Sequence, residues 1–218
     1  MVIQPIKQNN FIWLTISLIA MLVAGALTAE FPDIFALHLI EYANIAFLLV
    51  ALLSLRKNPS WLKGLLTLIT IMLLLVIARY VTGLQSLDTI YLLLTLLFYI
   101  SAMRLVAREV LLTGSVDFNK MVGSIALYLM LGLFFSVLFT ILLQFSPDAL
   151  NGLEAGQAEE NLARSNYFSF VTLTTLGYGD ISPATPMARV LVIIEAVTGM
   201  FYLAVIVASL VGSMKSSH

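Results

Sequence analysis

Cysteine is absent from the 218 residues, and histidine occurs only at His38 and His218. Disulfide scaffolds, thiol nucleophiles and zinc sites built from cysteine and histidine are therefore ruled out. Charged residues are also scarce, because they make up 11% of the chain while 61% is hydrophobic. This composition lies outside the range of soluble globular proteins and indicates a membrane protein. It does not fit a redox enzyme or a zinc enzyme.

Long apolar segments bounded by charged or turn-forming residues are candidates for transmembrane helices. A helix rises about 1.5 Å per residue and the hydrocarbon core is about 30 Å thick, so about 20 residues suffice for each crossing. The candidates are 11–29, 35–55, 62–82, 88–107, 120–145 and 187–213. Short connections join the first four, which predicts a compact four-helix bundle over residues 1–112 and a second unit over 113–218. The expected fold is all-α, with six transmembrane helices.

Basic residues collect on one side of the membrane if the six spans alternate in direction. They are Lys7, Arg56, Lys57, Lys63, Arg104, Arg108, Lys120 and Lys215. The positive-inside rule makes that side cytoplasmic, so both termini are expected in the cytoplasm. We predict a multi-pass protein of the inner (plasma) membrane of the cell.

About forty residues between the last two spans contain no complete membrane crossing. A polar stretch at 146–165 is followed by residues 167–175, which are apolar enough to enter the membrane but too few to span it. This pattern predicts a re-entrant half-helix, whose dipole places partial negative charge at its carboxyl end and favours a cation there. Irregular backbone at membrane depth is tolerated only where it is buried in protein or lines water.

The sequence Thr-Leu-Gly-Tyr-Gly-Asp at 175–180 follows the half-helix directly. Gly177 and Gly179 tolerate backbone angles that other residues avoid. Such angles are needed to point successive carbonyl oxygens in one direction. A row of carbonyl oxygens, together with the Thr175 hydroxyl, can replace the water shell of a potassium ion. An isolated Gly-x-Gly is more often a turn, but the threonines, the tyrosine, the aspartate and the flanking spans favour an ion site here. One copy cannot surround an ion, so four chains are expected.

These six residues resemble the potassium-channel filter Thr-Val-Gly-Tyr-Gly, with leucine in place of valine. Residues 120–213 are similar to the pore region of the potassium channel superfamily, as outer helix, pore helix, filter and inner helix, whereas 1–119 are similar only in the number of spans, as in six-span bacterial members. The resemblance implies a homotetramer with a re-entrant pore helix and filter loop in the lipid bilayer. It implies passive, selective conduction of K⁺, with no enzymatic activity, organic cofactor or nucleic-acid partner. The filter oxygens would come from Thr175, Leu176, Gly177 and Tyr178.

Further residues of the sequence are candidates to support the filter. They are Gly179, Asp180, Thr174, Tyr167 and Glu195. Glu195 is the carboxylate well inside a predicted span, and we expect it to brace the filter from behind by bonding to Thr172 or Thr174. Some family members carry a glutamate in the pore helix, where this chain has Val171. Asp180 therefore needs another partner, for which Tyr167 is the candidate.

The family pattern places a hinge of the inner helix at Gly199, although a glycine there can equally serve close packing. It directs Met200, Leu203, Val207 and Val211 toward the pore, where apolar rings can close it by dewetting. An apolar helix face is also what contact with lipid produces, so this alternative stays open.

The fourth span lacks the regularly spaced arginines of a voltage sensor, since basic residues occur only at its end, in Arg104 and Arg108. Steep voltage dependence requires several charges per subunit, so we predict weak or absent voltage gating. Arg79 and Glu41 are a candidate pair near the outer ends of their spans. Two alternatives to a potassium-selective channel remain open, namely a non-selective cation channel and a non-conducting modulatory membrane subunit.

Overall fold

The computed structural model describes residues 11–30, 39–54, 59–82, 84, 86–111, 117–153 and 158–215. These ranges are mostly helical, in agreement with the predicted all-α class. The helices are α1 Phe11–Glu30, α2 Leu39–Ser54, α3 Pro59–Thr82, α4 Ser86–Leu111, α5 Phe118–Phe145, α6 Ala158–Leu173 and α7 Pro186–Lys215. The basic residues Lys7, Arg56 and Lys57, on which the predicted orientation partly rests, lie outside the described ranges.

Helices α4, α5 and α7 contain the segments that are long and apolar enough to cross a membrane within the described part of the chain. These segments are Leu87–Leu111, Phe118–Phe145 and Pro186–Ile206, and a shorter apolar helix covers Phe11–Leu27. Large apolar side chains such as Trp13, Leu97 and Ile193 are exposed on the helices, as expected where lipid or another chain replaces water. The finding supports a membrane protein, and the count of six spans stays a prediction.

Helix α5 begins where the sequence supplies a cap and ends before a proline. The Asp117 carboxylate accepts a hydrogen bond from the Lys120 backbone N–H at 2.8 Å, which satisfies one of the free donors of the first turn. At the other end, Ser146 N–H donates to the Leu142 carbonyl, and Pro147 follows. Helices α1, α4 and α6 all pack against α5, which makes it the central helix of the described fold.

One hydrophobic core joins the first four helices to α5. Phe47 of α2 stacks on Tyr99 of α4 with ring centroids 5.9 Å apart, and Leu14 of α1 and Met130 of α5 belong to the same cluster. Gly123 allows α1 to approach α5 closely, because a Cβ there would lie 2.8 Å from the Phe11 ring. The two units predicted at 1–112 and 113–218 thus share buried contacts, and the division between them stays a prediction.

Arg79, near the end of α3, forms an ion pair with Asp88 in the first turn of α4. The Nη1 and Oδ1 atoms are 3.0 Å apart, and both side chains are partly buried. The sequence pattern did not predict Asp88 as the partner of Arg79. The side chain of Glu41 lies outside the described part of the structure, so the pair with Glu41 stays a prediction.

A short connection after α5 reaches the segment that precedes α7. It consists of a 3-10 turn at Pro147–Ala149 and strand β1 at Leu150–Asn151, which pairs antiparallel with β2 at Ser182–Pro183. The Ala184 N–H also donates to the Ala149 carbonyl at 2.9 Å. The chain that leaves the 175–180 segment is therefore attached to the end of α5.

Helix α6 starts at Ala158, well before the half-helix predicted from residue 167. The expectation that the polar stretch 146–165 lies outside the helix was wrong for its second half. Ala163, Ser165 and Asn166 are buried, because this part of α6 packs against α1 and α5. Burial, rather than local composition, makes these polar turns helical, since isolated helices of this length are marginal.

Candidate functional site

The segment of residues 174–180 is fixed at its inner end by the carboxyl end of α6. Thr175 N–H donates to the Thr172 carbonyl at 2.9 Å, and the N–H groups of Leu176 and Gly177 donate to the Val171 carbonyl at 3.0 and 3.3 Å. These bonds use carbonyls of the last helical turn, which otherwise lack intrahelical partners. The direction in which the chain leaves α6 is therefore set by the helix itself.

Left-handed and right-handed backbone angles alternate along this segment. The φ angles of Thr175, Gly177 and Gly179 are 62°, 56° and 82°, whereas Leu176 and Tyr178 are not in the positive region. In an extended strand, successive carbonyls point in opposite directions. Alternating left-handed and right-handed backbone angles instead allow successive carbonyls to point in the same direction. Thr175 is β-branched, and a positive φ costs such a residue about 1–3 kcal/mol. Strain of this kind is typical of functional sites.

The side chains of the segment are open in the single chain. Leu176 is 60% exposed and Tyr178 is 69% exposed, and a Cβ placed on Gly177 or Gly179 would meet no atom within 4 Å. Leu176 borders a cavity of about 790 Å³ between α1 and α6.

Tyr167 and Asp180 form the hydrogen bond that was expected between them. The Tyr167 hydroxyl donates to Asp180 Oδ2 at 2.6 Å, which joins the middle of α6 to the residue after the last glycine. The hydroxyl holds the pKa of the Asp180 carboxyl below its usual range. The same hydrogen bond raises the pKa of the Tyr167 phenol. Both side chains are exposed in the single chain.

Glu195 is fully buried, and its partner is Ser169 rather than Thr172 or Thr174. Glu195 Oε1 lies 2.5 Å from Ser169 Oγ, which in turn lies 2.6 Å from the Gly132 carbonyl oxygen of α5. The Thr174 hydroxyl instead donates to the Phe170 carbonyl. The expected partners were wrong because α6 and α7 meet in another register, with Ser169 and Leu173 of α6 facing Glu195 and Gly199 of α7.

Gly199 lies against the last residue of α6. A Cβ at Gly199 would be 2.2 Å from the Leu173 carbonyl oxygen, and α7 runs through this position as an uninterrupted helix. The Tyr128 hydroxyl of α5 donates to the same carbonyl at 3.2 Å. Close packing, which was the alternative for this glycine, therefore accounts for it, and its role as a hinge stays a prediction.

Two tyrosines join α5 to α7 beside this contact. The rings of Tyr128 and Tyr202 stack with centroids 5.4 Å apart, and the Tyr202 hydroxyl donates to the Ser124 carbonyl at 2.5 Å. The sequence reasoning missed both tyrosines, because an aromatic residue in an apolar span carries no signal of its own. The same reasoning missed Ser169, although a serine within the apolar run 167–173 is a recognisable polar contact point.

Gly152 was also missed, and it packs against the far end of the segment. Its φ is 81°, and a Cβ there would lie 2.0 Å from the Asp180 carbonyl oxygen. The preceding Asn151 gives the dipeptide Asn-Gly, a strong signal for a tight turn, which predicts a positive φ. The outer connection thus contacts the backbone at the exit of the segment.

The residues expected to line a pore on α7 are described only in part. Met200 and Leu203 are about half exposed in the single chain, which fits a pore wall and a lipid face equally. The side chains of Val207 and Val211 lie outside the described part of the structure. The pore lining stays a prediction.

In sequence order, the long helix α5 is followed by the shorter helix α6 with its strained loop and then by the long helix α7. A family model described as "Ion channel" matches residues 124–215, which cover most of α5, all of α6, the loop and α7. This match points to a channel rather than an enzyme.

The chain is also similar to two-pore potassium channel 5 of Arabidopsis thaliana. The two are 31% identical over 67 residues, which make up 31% of this chain and 15% of the plant protein. The chain thus spans a small part of the length of this relative. Both matches are to ion channels.

Proposed function

We propose that this chain is one subunit of a homotetrameric potassium-selective channel that conducts K⁺ passively. Oxygens of Thr175, Leu176, Gly177 and Tyr178 would bind the ions. The observation that carries the proposal is the recurrence of left-handed backbone at Thr175, Gly177 and Gly179 directly after helix α6. We name residues 175–180 the filter segment, α6 the pore helix, α5 the outer helix and α7 the inner helix.

The chemistry rests on replacing water by main-chain oxygen. A potassium ion enters the filter only if closely spaced carbonyls compensate for its lost hydration shell. The N–H groups of Thr175, Leu176 and Gly177 already donate to the pore helix, so they do not compete for these carbonyls. The carboxyl end of the pore helix adds partial negative charge below the filter, which favours a cation before it is stripped of water.

Surfaces left open by the single chain favour assembly with further copies. Leu176 is exposed beside the cavity between α1 and the pore helix, and Tyr178 is exposed as well. Large apolar residues along the inner helix are also exposed. Those residues are Val190, Ile193, Ile194, Val197, Met200, Phe201, Leu203 and Val205. Four copies around one axis would cover much of this surface and would supply the ion with oxygens from all sides.

Voltage gating is expected to be weak or absent. Moving one charge across the membrane contributes about 2.3 kcal/mol per 100 mV, so a steep response needs several charges in the moving helix. Helix α4 carries its basic residues in its last two turns, at Arg104 and Arg108, where the side chains can reach the headgroups. Residues of α4 and of the outer helix also belong to the same hydrophobic core, and this packing disfavours a large movement of α4.

The test is ion flux through the purified full chain in liposomes, measured under opposed potassium and sodium gradients. We expect a reversal potential near that of potassium, block by barium, and a tetramer in mild detergent. Near-equal permeability to sodium would instead identify a non-selective cation channel. A monomer or dimer without any flux would identify a non-conducting modulatory subunit.

A further inference from the structure

Glu195 occupies a position where a negative charge is costly. It is 0% exposed and lies within Pro186–Ile206, one of the segments able to cross the membrane. An ionised carboxylate at such a depth normally has a cation or several hydrogen-bond donors around it. The contacts of Glu195 show whether it has either.

The contacts of Ser169 limit where the hydrogens can be. Its Oγ lies 2.6 Å from the Gly132 carbonyl oxygen and 2.5 Å from Glu195 Oε1. Both are distances of O–H···O hydrogen bonds, so each contact requires a hydrogen between its two oxygens. A serine hydroxyl has one hydrogen and a carbonyl has none. The second hydrogen must therefore come from the carboxyl group of Glu195.

The second carboxyl oxygen has nothing to stabilise a charge. Glu195 Oε2 is buried and has no hydrogen-bond partner among the described residues. A protonated carboxyl tolerates this environment far better than a carboxylate, because the charge that would need solvation is absent.

Neighbouring ionisable groups are engaged elsewhere. From the outer helix, Tyr128 faces Glu195 and donates to the Leu173 carbonyl. From the pore helix, the Tyr167 hydroxyl is bonded to Asp180. On the inner helix itself, Arg189 donates to the carbonyls of Pro183 and Ala184. In the described part of the chain, no cation pairs with Glu195.

We propose that Glu195 carries its proton at neutral pH and donates it to Ser169, which donates in turn to the Gly132 carbonyl. This chain of hydrogen bonds ties the inner helix to the pore helix and the pore helix to the outer helix. Glu195 is thus a positioning residue for the filter segment, which begins six residues after Ser169 in the sequence. The effect on conduction rests on the proposed channel function, whereas the position of the proton does not.

The proposal fixes the direction of the pH response. Loss of the proton at alkaline pH removes the hydrogen from the Glu195–Ser169 contact and leaves a buried charge without a partner. The pore helix is then held less firmly, so conduction should fall as the pH rises. In E195Q the amide NH₂ can still donate to Ser169 and does not titrate. The hydrogen bond between the two side chains therefore persists at neutral and at alkaline pH.

The first experiment locates the proton without relying on conduction. Infrared difference spectra of the purified full chain in liposomes at neutral pH should show the C=O band of a protonated carboxylic acid, and E195Q should lack it. Exposed acidic residues are ionised at this pH and do not contribute. Identical spectra for the two proteins would overturn the proposal.

The second experiment measures potassium flux between pH 7 and about pH 10 in the wild type, E195Q and S169A. Loss of one hydrogen bond typically shifts an equilibrium about fivefold, and we expect a loss of flux of this order in the wild type at high pH. E195Q should change much less over the same range. S169A should already conduct less potassium than the wild type at pH 7. Adding E195Q to S169A should not restore the flux.

Two further variants serve as controls. Ser136 is also a buried serine that contacts the pore helix, since its hydroxyl donates to the Leu162 carbonyl, but it does not touch Glu195. S136A should therefore keep the alkaline response of the wild type. Because Tyr128 is another titratable side chain near Glu195, Y128F is measured as well. An alkaline response that disappears in Y128F but persists in E195Q would overturn the proposal.

Potassium flux and infrared spectra together test the channel function and the protonation of Glu195 separately. If every variant, including the wild type, conducts no ions while the infrared band is present, the channel function fails and the protonated Glu195 stands. If the wild type conducts potassium but the band is absent, the proton assignment fails and the channel function stands.

Discussion

Substituting Gly199 with alanine tests whether the inner helix and the pore helix touch through their backbones. The new Cβ would lie 2.2 Å from the Leu173 carbonyl oxygen, whereas carbon and oxygen atoms normally approach to about 3.3–3.6 Å. The two helices would have to separate by roughly 1 Å at this point. A flexible side chain can rotate away from such a clash, but a main-chain carbonyl inside a helix terminus cannot.

The expected size of the effect follows from two opposing terms. Overpacking of a tight contact costs about 1–3 kcal/mol, and contact with a rigid backbone atom places this case near the upper end. Alanine is favoured over glycine within a helix by about 1 kcal/mol, which offsets part of the cost. The net loss is about 2 kcal/mol, or a decrease in Tm of about 4–8 °C for a chain of this length.

Gly64→Ala is the matched control, because Gly64 lies in α3 and a Cβ there would meet no atom within 4 Å. It should gain about 1 kcal/mol from helix propensity alone and raise Tm by about 2–4 °C. Thermal unfolding in one detergent and potassium flux in liposomes are measured for both variants. Equal Tm and equal flux for G199A and G64A would refute the backbone contact between the two helices.

The remaining substitutions act on the filter segment and its exit. Y167F removes the hydrogen bond to Asp180 and should reduce potassium flux at neutral pH. Because Tyr167 lowers the pKa of Asp180, the wild type keeps this tie in mild acid and loses it only as the pH falls through the lowered pKa. The difference in flux between the two proteins should therefore vanish only in strong acid. G152A combines a left-handed φ of 81° with a Cβ 2.0 Å from the Asp180 carbonyl oxygen, so Tm and flux should both fall, whereas N151A at the exposed neighbour should match the wild type within about 0.5 kcal/mol. G177A meets no clash but places alanine at a φ of 56°, which costs about 1–2 kcal/mol. Tm should therefore fall by about 2–8 °C, and the ratio of potassium to sodium permeability should fall as well.

The long helices could be predicted from the sequence because the length of an apolar run decides them. Observed boundaries of α1 and α5, for example, lie within two residues of the predicted segments 11–29 and 120–145. The first half of α6 could not be predicted in this way. Ala163, Ser165 and Asn166 read as a polar loop, and only their burial against α1 and α5 explains why they are helical.

The unusual backbone of the proposed filter segment could be located from the sequence, because glycines mark such backbone directly. The pairing of Tyr167 with Asp180 was also accessible, since it follows from the need of a carboxylate for a donor near the end of the segment. The partner of Glu195 was not accessible in the same way. Ser169 and Thr172 lie on one short helix and Thr174 directly follows it, so only the crossing of α6 and α7 selects among the three.

Three ties hold the strained backbone of the filter segment, and each comes from a different part of the chain. The pore helix accepts the N–H groups of the inner end, Tyr167 holds Asp180, and Gly152 touches the backbone at the exit. All three act at the ends of the segment. Its middle, with Leu176 and Tyr178, has side chains that are largely exposed in the single chain.

A left-handed Thr175 costs about 1–3 kcal/mol, and strain of this size persists only where the surroundings hold it in place. The contacts at the two ends of the segment hold part of the strained backbone in place. The Leu176 and Tyr178 side chains are exposed, so contacts from outside the single chain have to supply the rest of the support. In the proposed homotetramer, neighbouring copies would supply it, because the same packing would bring the carbonyl rows to one axis. In this reading, assembly and ion binding depend on one set of contacts, so variants that loosen the packing of Tyr178 should weaken both together.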